Sequence, residues 1–417
     1  MRRVFVRGVG VISPLGQTWP ETREALESGR TAVAPITSFD VEGYPSRVAA
    51  CVPWPVDDAP GFGAKNAKGD PKPQMFNQDR RLALARLAAE EAWMKARVDA
   101  PPERIGVFVG AESGRATYES VFALSRAAGG GARFDHAKFG QDARPLAAQI
   151  HSATVSPAAV ASTLAGMIRA QGPVETISLA CASGAAAIVE ATRAIRLGLC
   201  DVALAGGVGA DVDPFMLVGF GILGALSARG VSCPFDVRRD GFVVGEGAAM
   251  VVLSAERADA SVEVAGVARS LDAHHLTAPD PTGDGATRAM RGALDDARRD
   301  RVDYVQAHGT STPLNDAVEA AAIGRVLGQT LDQAHVGAVK GALGHWIAGA
   351  GAVGFVCGYE AVSSGICLPT AGLVEPDRAC SLPHIMGRAM RKNVSAALVN
   401  AFAFGGANAS IVVARCN

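Results

Sequence analysis

The cysteine at position 181 combines a reactive side chain with a position that could activate it. Cys181 stands between a predicted strand, 174–180, and a predicted helix, 183–197, within the run Leu-Ala-Cys-Ala-Ser-Gly. Unpaired backbone N–H groups and the helix dipole favour an anion there, so we expect a lowered thiol pKa and a better nucleophile. The small neighbours Ala182 and Gly184 should leave room for a bulky thioester. An ordinary buried cysteine is the competing interpretation, because free cysteines are usually buried.

Two histidines follow in the second half of the sequence. His308 comes after a predicted strand, 304–307, and opens the run His-Gly-Thr-Ser-Thr-Pro, whose hydroxyls Thr310 and Thr312 could hold a polar ligand arm. The carboxyl end of a parallel strand is where α/β proteins usually build their sites. His345 ends the run Lys-Gly-Ala-Leu-Gly-His, just before a helix of small residues. A turn histidine and a satisfied core histidine are the respective competing interpretations.

One cysteine and two histidines are sufficient for a carbon–carbon condensation. A cysteine thiolate can accept an acyl group from a thioester. Two neutral imidazoles can donate hydrogen bonds to the carbonyl oxygen of a malonyl thioester, which becomes an enolate when carbon dioxide leaves. These residue types therefore predict acyl transfer followed by decarboxylative condensation, and we expect neither a metal ion nor an organic cofactor.

Predicted strands and helices alternate along the sequence and place the cysteine and the two histidines at their ends. Short β-rich runs alternate with longer Ala-rich helical patterns, which favours a mainly parallel sheet. A chain of 417 residues suits two similar halves, which we place at residues 1–257 and 258–417, where a polar interruption occurs. Further elements are predicted at strand 4–11, helix 80–96, strand 105–109, strand 202–205, strand 262–267 and helix 286–298.

Composition excludes several classes of function. The net charge of −1 gives no global attraction to nucleic acid or to an acidic membrane surface. The apolar run at the start is too short for a signal peptide, and no uninterrupted apolar stretch is long enough to span a bilayer. The eight cysteines show no metal-ligand spacing, so we expect no structural metal and a location in the reducing cytoplasm.

The ordered set of motifs resembles the elongating β-ketoacyl-acyl-carrier-protein synthases of the thiolase superfamily, over essentially residues 6–408. Any one motif would be moderate evidence, whereas the full set in this order is very specific. The matching runs lie at 6–16, 180–184, 234–236, 239–242, 245–247, 308–313 with Asp316 and Glu319, Lys340 with 344–345, and 400–408.

The resemblance implies a five-layered αβαβα thiolase fold of two similar halves, a homodimer and Cys–His–His catalysis. Carried over to this sequence, Cys181 would be the acylated nucleophile, and His308 and His345 would assist decarboxylation of the extender thioester. Lys340 and Glu319 would form a supporting charged pair. The remaining assignments are an oxyanion hole from the backbone N–H groups of Cys181 and Phe404, an acyl-tunnel gate at Phe404, and a phosphopantetheine channel lined by Thr277, Thr310 and Thr312.

The same resemblance gives expectations about pathway and partners. The run at 345–351 looks more like synthases of aryl-polyene or related type II polyketide pathways than fatty-acid enzymes. The expected partners are an acyl carrier protein and a second ketosynthase subunit, either identical or a related inactive one. An acidic carrier should dock on basic residues, and the candidates, which could equally form a solvated loop face, are Lys65, Lys68, Lys72, Arg80 and Arg81.

Two other functions remain as alternatives. A coenzyme A thiolase usually carries a second cysteine near the C-terminus, whereas this sequence has Phe404-Gly405-Gly406 there and no cysteine until Cys416. A chain-length factor is a non-catalytic subunit that typically lacks the nucleophile. Because the cysteine and both histidines are present, the sequence favours an active condensing enzyme over both alternatives.

Overall fold

The computed structural model describes residues 2–53, 79–114, 123–126, 129, 134–147 and 155–416. Ten strands form one mixed sheet, in the order β8-β7-β9-β10-β6-β1-β5-β4-β2-β3. The strands are β1 Phe5–Ile12, β2 Ile105–Gly110, β3 Val174–Ile177, β4 Val202–Ala210, β5 Glu246–Ser254, β6 Val262–Leu271, β7 Tyr304–Gln306, β8 His335–Gly337, β9 Ala396–Phe402 and β10 Ala407–Arg415.

The helices that cover this sheet or extend from it vary from nine to seventeen residues. They are α1 Trp19–Glu27, α2 Arg80–Ala96, α3 Ala158–Ile168, α4 Ser183–Arg196, α5 Pro214–Ile222, α6 Asp284–Asp296, α7 Pro313–Leu327 and α8 Ala350–Ser364. Short helices at His136–Asp142, Arg144–Ala147 and Lys340–Leu343, and the two-stranded pairs Ala34–Pro35 with Val48–Ala49 and Ile366–Cys367 with Met390–Arg391, complete the elements used below.

The two halves of the chain repeat one topology. The first half runs β1-α2-β2-α3-β3-α4-β4-β5, and the second runs β6-α6-β7-α7-β8-α8-β9-β10. In each half three neighbouring strands are parallel and two further strands are antiparallel. The halves meet where β1 pairs antiparallel with β6. This repeat agrees with two similar halves, while the predicted division at residues 257 and 258, between β5 and β6, stays a prediction.

Helices lie in three layers around the two half-sheets. Helices α4 and α8 pack against each other and contact strands of both halves, so they form the central layer. Helices α2 and α3 cover the outer face of the first half-sheet, and α6 and α7 cover that of the second. The apolar core follows the same division, with a large central cluster and one outer cluster in each half. The five-layered αβαβα fold is therefore confirmed.

The central helix α8 explains the most hydrophobic stretch of the chain. Residues 347–364 are long and apolar enough to cross a membrane, but 83% of that stretch is buried inside the protein. Its small residues permit close packing, as at Gly358, where an added Cβ would lie 2.5 Å from a Val399 methyl carbon. A helix that is apolar on all sides is expected in the middle layer of a large protein.

Candidate active site

The turn that carries Cys181 is shaped by local backbone geometry. Strand β3 ends at Ile177, three residues earlier than the predicted strand, and a 3₁₀ turn over Ala180–Ala182 leads into α4. Ala180 has a φ of 45°, a left-handed conformation that costs a non-glycine residue about 1–3 kcal/mol. Sequence patterns did not predict this turn, because the apolar residues on both sides of it are equally compatible with a continuing strand.

The structure brings the predicted side chains to one cavity of about 340 Å³. Cys181 lines it although only 5% of the residue is exposed, and the cavity lies between the two halves of the fold. The other predicted residues that line the cavity are Thr277, His308, Thr310, Thr312, Glu319, His345 and Phe404. Of the predicted site residues only Lys340 is absent from the cavity wall, and it lies directly behind His308.

The small residue Gly184 serves helix packing more than substrate access. A Cβ at this position would lie 2.8 Å from the carbonyl oxygen of Ala348, in the turn before α8. Real Cβ atoms do not approach backbone this closely, so glycine permits the contact between the α4 N-terminus and that turn. The expectation that Gly184 leaves room for a thioester is therefore replaced by a packing role, and this packing brings the Cys181 turn close to the segment that carries His345.

His308 is held from two sides by buried charged groups. The Nζ of Lys340 lies 3.2 Å from its Nδ1 and also donates to its carbonyl oxygen. Its backbone N–H donates to Glu319 Oε1 at 2.7 Å. Because an ammonium group can only donate, Nδ1 must be the acceptor, and the neutral ring then carries its proton on Nε2.

His345 reaches the same protonation state through a backbone contact. The N–H of Ile347 donates to its Nδ1 at 3.1 Å, so the neutral imidazole again carries its proton on Nε2. The two histidine rings are 5.7 Å apart between centroids and nearly perpendicular. Burial, followed by the charge of Lys340, lowers the pKa of both imidazoles well below the usual value, so both are neutral donors at pH 7.

Lys340 and Glu319 both support His308. The described ion pairs do not include a direct contact between them, but the charge of each shifts the pKa of the other and both bind His308. The predicted role as a supporting charged pair stays a prediction. Glu319 also accepts from the Gly309 N–H at 2.8 Å and lies 3.4 Å from the Asn400 side-chain nitrogen. Burial raises the pKa of Glu319 to about 7 and lowers that of Lys340 to about 8. Both groups are therefore charged in a narrow interval around pH 7.5.

The thiol of Cys181 has a higher pKa than the sequence indicated. Burial raises it to about 12, and this effect outweighs the Lys340 charge and the backbone hydrogen bond from Phe404, which lower it. The prediction of a lowered pKa is wrong because Cys181 is buried at the helix N-terminus, where a thiolate loses its hydration. Cys181 is therefore a neutral thiol in the resting site.

Phe404 lies in the tight connection between β9 and β10. Its backbone N–H is directed at the sulfur of Cys181, and its side chain lines the cavity. Gly405 and Gly406 follow with φ of 83° and 77°, and the Gly405 N–H donates to the Leu276 carbonyl oxygen at 2.7 Å. This geometry suits the predicted oxyanion and gate role, with the left-handed glycines providing the turn.

The three predicted threonines all line the cavity. Thr310 and Thr312 contact each other through their hydroxyl oxygens at 2.8 Å, and Thr310 also lies 3.3 Å from buried Asp316. Asp316 accepts hydrogen bonds from the backbone of this loop and fixes its path. Thr277 is half-buried on the opposite loop. The three hydroxyl side chains thus form a polar part of the cavity wall, and their predicted contact with a phosphopantetheine arm stays a prediction.

Sequence reasoning assigned no role to several polar residues of the site. Asn408 donates to Asp272 Oδ1 at 2.6 Å, and both line the cavity. Asn400 lies behind Glu319 and accepts from Ser410 at 2.9 Å. Only the tertiary structure brings these residues together. Glu112 had a sequence signal that could have revealed it, since it stands two residues after β2, as His308 does after β7.

The expected carrier dock is only partly within the described structure. Lys65, Lys68 and Lys72 lie outside the described residues. Arg80 binds the buried carboxylate of Glu246, with an N–O distance of 2.5 Å, and Arg81 is itself buried. Arg81 binds Asp79 at 2.6 Å. These two arginines stabilise the start of α2, and the expectation that they form a free basic dock is wrong for both.

Comparison with known proteins agrees with this site. The β-ketoacyl synthase N-terminal domain family matches residues 1–259, and the corresponding C-terminal domain family matches residues 261–374. The 3-oxoacyl-[acyl-carrier-protein] synthase 2 of Coxiella burnetii (strain RSA 493 / Nine Mile phase I) is 33% identical, over 99% of each chain. The tetracenomycin polyketide synthase ketoacyl synthase alpha subunit of Streptomyces glaucescens is 34% identical, over 99% of this chain and 97% of the relative.

A solved structure extends the likeness to the whole fold. A chain of "The ishigamide ketosynthase/chain length factor" superimposes with a TM-score of 0.83 and 31% identity, over 100% of each chain. The thiolase fold predicted from the sequence is thereby confirmed. The cavity with its cysteine and two neutral histidines, the duplicated sheet and these full-length matches lead to one conclusion: the chain belongs to the β-ketoacyl synthase family.

Proposed function

We propose that this protein extends an acyl chain by decarboxylative Claisen condensation with a malonyl-acyl carrier protein, giving a 3-oxoacyl-acyl carrier protein. The observation that carries the proposal is the convergence of the Cys181 thiol and the two neutral imidazoles on one cavity. This set provides a nucleophile for the acyl group and two donors for the enolate, which are the two requirements of the reaction.

In the first step Cys181 accepts the acyl group. The sulfur attacks the thioester carbonyl, the bond to the carrier's sulfur breaks, and the proton of the Cys181 thiol ends on the released carrier thiol. The backbone N–H groups of Cys181 and Phe404 are the proposed donors to the developing oxyanion. The Phe404 N–H already interacts with the sulfur in the resting site, so little rearrangement is needed.

In the second step the malonyl thioester loses carbon dioxide. The electron pair of the breaking carbon–carbon bond forms an enolate, whose oxygen accepts hydrogen bonds from Nε2 of His308 and His345. The enolate carbon then attacks the acyl-Cys181 carbonyl, the carbon–sulfur bond breaks, and the released Cys181 thiolate takes up a proton from solvent. Neutral imidazoles suit this role because their donors are fixed before charge develops.

The proposed partner at the cavity mouth is an acyl carrier protein, as in the name of the Coxiella relative. Apolar side chains surround the mouth: Leu223 and Leu314 line the cavity and are 52% and 62% exposed, and Leu276, next to Thr277, is 82% exposed. A carrier whose arm enters this cavity would cover these leucines. Their apolar character favours docking with a substantial hydrophobic contribution.

The proposed assembly is a dimer with an identical or related ketosynthase chain. The edge beyond β8 is covered by bridges from Val336 to His384 and from Ala338 to Thr370. At the opposite end β3 is the last strand that the described residues add to the sheet, and Val174 on it is 41% exposed. An open strand edge can pair with another chain. A related, inactive partner is favoured by the likeness to a ketosynthase/chain length factor structure.

The remaining proposals concern cofactors and cellular location. The proposed reaction uses neither a metal ion nor an organic cofactor, because the chain's own donors can stabilise the enolate. The described residues contain no cluster of three or more potential metal ligands. We place the protein in the cytoplasm, a reducing compartment that suits eight free cysteine thiols. Because relatives bear names of more than one kind, the proposed pathway is fatty-acid, aryl-polyene or polyketide synthesis.

The decisive experiment is intact-mass analysis after incubation with a panel of acyl-carrier thioesters, followed by malonyl-carrier. We expect an acyl adduct on Cys181 and then its loss with formation of a 3-oxoacyl carrier. Cys181→Ala should take up no acyl group, whereas Cys51→Ala, at a partly exposed cysteine outside the cavity, should behave as wild type. An adduct only from coenzyme A donors would favour a thiolase. No adduct, with fully active carriers, would favour a non-catalytic subunit.

A further inference from the structure

Glu112 occupies an unassigned position beside the nucleophile. It follows β2 by two residues, and the Ala111 N–H before it donates to the Ile177 carbonyl oxygen at the end of β3. This contact places the Glu112 carboxylate next to the segment that leads into Cys181. His308 follows β7 by the same two residues. Because β2 and β7 are equivalent strands of the duplicated fold, both side chains come from corresponding corners of the site.

The carboxylate of Glu112 reaches both sides of the Cys181 turn. Its Oε2 accepts from the Ser178 hydroxyl at 2.7 Å, three residues before the cysteine. Its Oε1 lies 3.2 Å from the hydroxyl of Ser183, the first residue of α4, which is fully buried. Two hydroxyls that flank the nucleophile therefore converge on one carboxylate.

Ser183 itself stabilises the strained part of the turn. Its hydroxyl oxygen accepts from the Leu179 N–H at 2.8 Å and lies 2.7 Å from the carbonyl oxygen of Ala180, the residue with positive φ. The hydroxyl proton has two acceptors within reach, Ala180 and Glu112. A carboxylate at this point orients the hydroxyl and thereby the backbone on which Cys181 depends.

We propose that Glu112 is a positioning residue for the nucleophile, because its carboxylate joins the two sides of the turn that presents Cys181. Its negative charge also opposes a thiolate at Cys181. The effect on acyl transfer rests on the proposed function, whereas the contacts of Glu112 with the Cys181 turn do not depend on it. Other groups that act on Cys181 are Lys340, whose charge favours the thiolate, and Asp211, whose charge opposes it.

The opposing charges of Lys340 and Glu112 affect how readily the Cys181 thiol reacts. Lys340 belongs to the network that holds His308, and its ammonium would also stabilise a thiolate at Cys181. Glu112 opposes this effect from the other half of the fold. A thiol that stays protonated is protected from oxidation and alkylation, since the thiolate is the reactive form. Glu112 therefore limits wasteful reactions while it fixes the turn geometry for acyl transfer.

The test compares the alkylation of Cys181 by iodoacetamide in three variants of the full chain, between pH 7 and 9. Glu112→Gln keeps the hydrogen-bond acceptor but removes the charge, and we expect about threefold faster alkylation at each pH, corresponding to about half a pKa unit. Ser178→Ala keeps the charge and removes one contact, so alkylation should be unchanged while acyl loading of Cys181 slows. Glu103→Gln, at the exposed opposite end of β2, should change neither rate.

Each outcome supports or overturns a stated part of the proposal. Equal alkylation of Glu112→Gln and wild type would overturn the electrostatic role, and normal acyl loading of Ser178→Ala would overturn the positioning role. Thermal melting of each variant separates these effects from misfolding. Alkylation requires no acyl donor, so a wild-type protein that fails to accept acyl groups but shows the Glu112 effect would contradict the proposed function alone.

Discussion

The two halves of the molecule have the same order of strands and helices, yet they contribute different chemistry to the shared cavity. The first half supplies Cys181 in the turn before α4, and the Glu112 carboxylate binds both sides of that turn. The second half supplies His308 after β7 and His345 before α8. Corresponding strand ends therefore carry a thiol and a carboxylate in one half and two neutral imidazoles in the other.

This difference shows how one duplicated scaffold can separate two steps of a reaction. In the proposed mechanism the half with the thiol would hold the acyl group, and the half with the imidazoles would activate the extender. The connections that close over the cavity differ as well. Residues 211–245 link β4 to β5 and include α5, whereas only residues 403–406 link β9 to β10. The first half thus provides a broad rim, and the second provides a short turn that carries Phe404.

The largest expected effect separates the two steps completely. Cys181→Ala should abolish acyl loading and condensation, because no other thiol lines the cavity among the described residues. Decarboxylation of malonyl-carrier should persist, since both histidine donors remain. Carbon dioxide release and intact mass measure the two steps separately. If Cys181→Ala lost decarboxylation together with acyl loading, the proposal that the two halves perform separate steps would be wrong.

The converse substitution in the second half should have a large but incomplete effect. His345→Ala removes one enolate donor and should slow decarboxylation about a hundredfold, while acylation of Cys181 continues. His384→Ala is a suitable control, because this histidine also lies in the second half but outside the cavity. If acyl loading fell as strongly as decarboxylation in His345→Ala, the histidine would serve both steps.

Replacement of Lys340 tests whether decarboxylation and acyl loading, the steps assigned to the two halves, depend on pH in different ways. In wild type, decarboxylation should fall below pH 7, as Glu319 gains a proton, and above pH 8, as Lys340 loses one. Acyl loading should instead rise with pH, because the Cys181 pKa is raised. Lys340→Met should slow decarboxylation about tenfold at pH 7.5 through loss of a charged donor.

The pH profile of decarboxylation should show whether Lys340 and Glu319 are the titrating groups. The alkaline limb of the decarboxylation profile should disappear in Lys340→Met, because the titrating ammonium is gone. Glu319→Gln should remove the acid limb by the same reasoning. Stopped-flow or endpoint carbon dioxide measurements across pH 6 to 9 would show both limbs. An unchanged profile in both variants would place the titrating groups elsewhere.

The smallest expected effect concerns the connections over the cavity. Gly405→Ala should lower the free energy of unfolding by about 1–2 kcal/mol, because alanine is strained at a φ of 83° while nothing lies within 4 Å of its added Cβ. Gly219→Ala, in the long connection of the first half, meets equally open space inside α5 and should be neutral or slightly stabilising. Denaturant unfolding would measure the stability of both variants, and equal stabilities would contradict the proposed strain at Gly405.

Local sequence patterns predicted the regular elements well and the turns between them poorly. Helix 80–96 appears with the predicted bounds, and Gly198 ends α4 with the expected positive φ of 75°. Side-chain periodicity and glycine propensity decide such elements within one segment. The strand before Cys181 was predicted three residues too long, because the contacts with Glu112 and α8 that shape the turn come from distant parts of the chain.

Residue order was sufficient to predict Cys181, His308 and His345 as site candidates, the α/β alternation, and a helix of small residues after His345. The protonation of the cysteine and the two histidines depends on the tertiary structure. Burial keeps the Cys181 thiol and both imidazoles neutral. The fold also brings Lys340 and Glu319 into contact with His308. The physical reason is that hydration and Coulomb interactions depend on distances across the fold, which residue order alone does not specify.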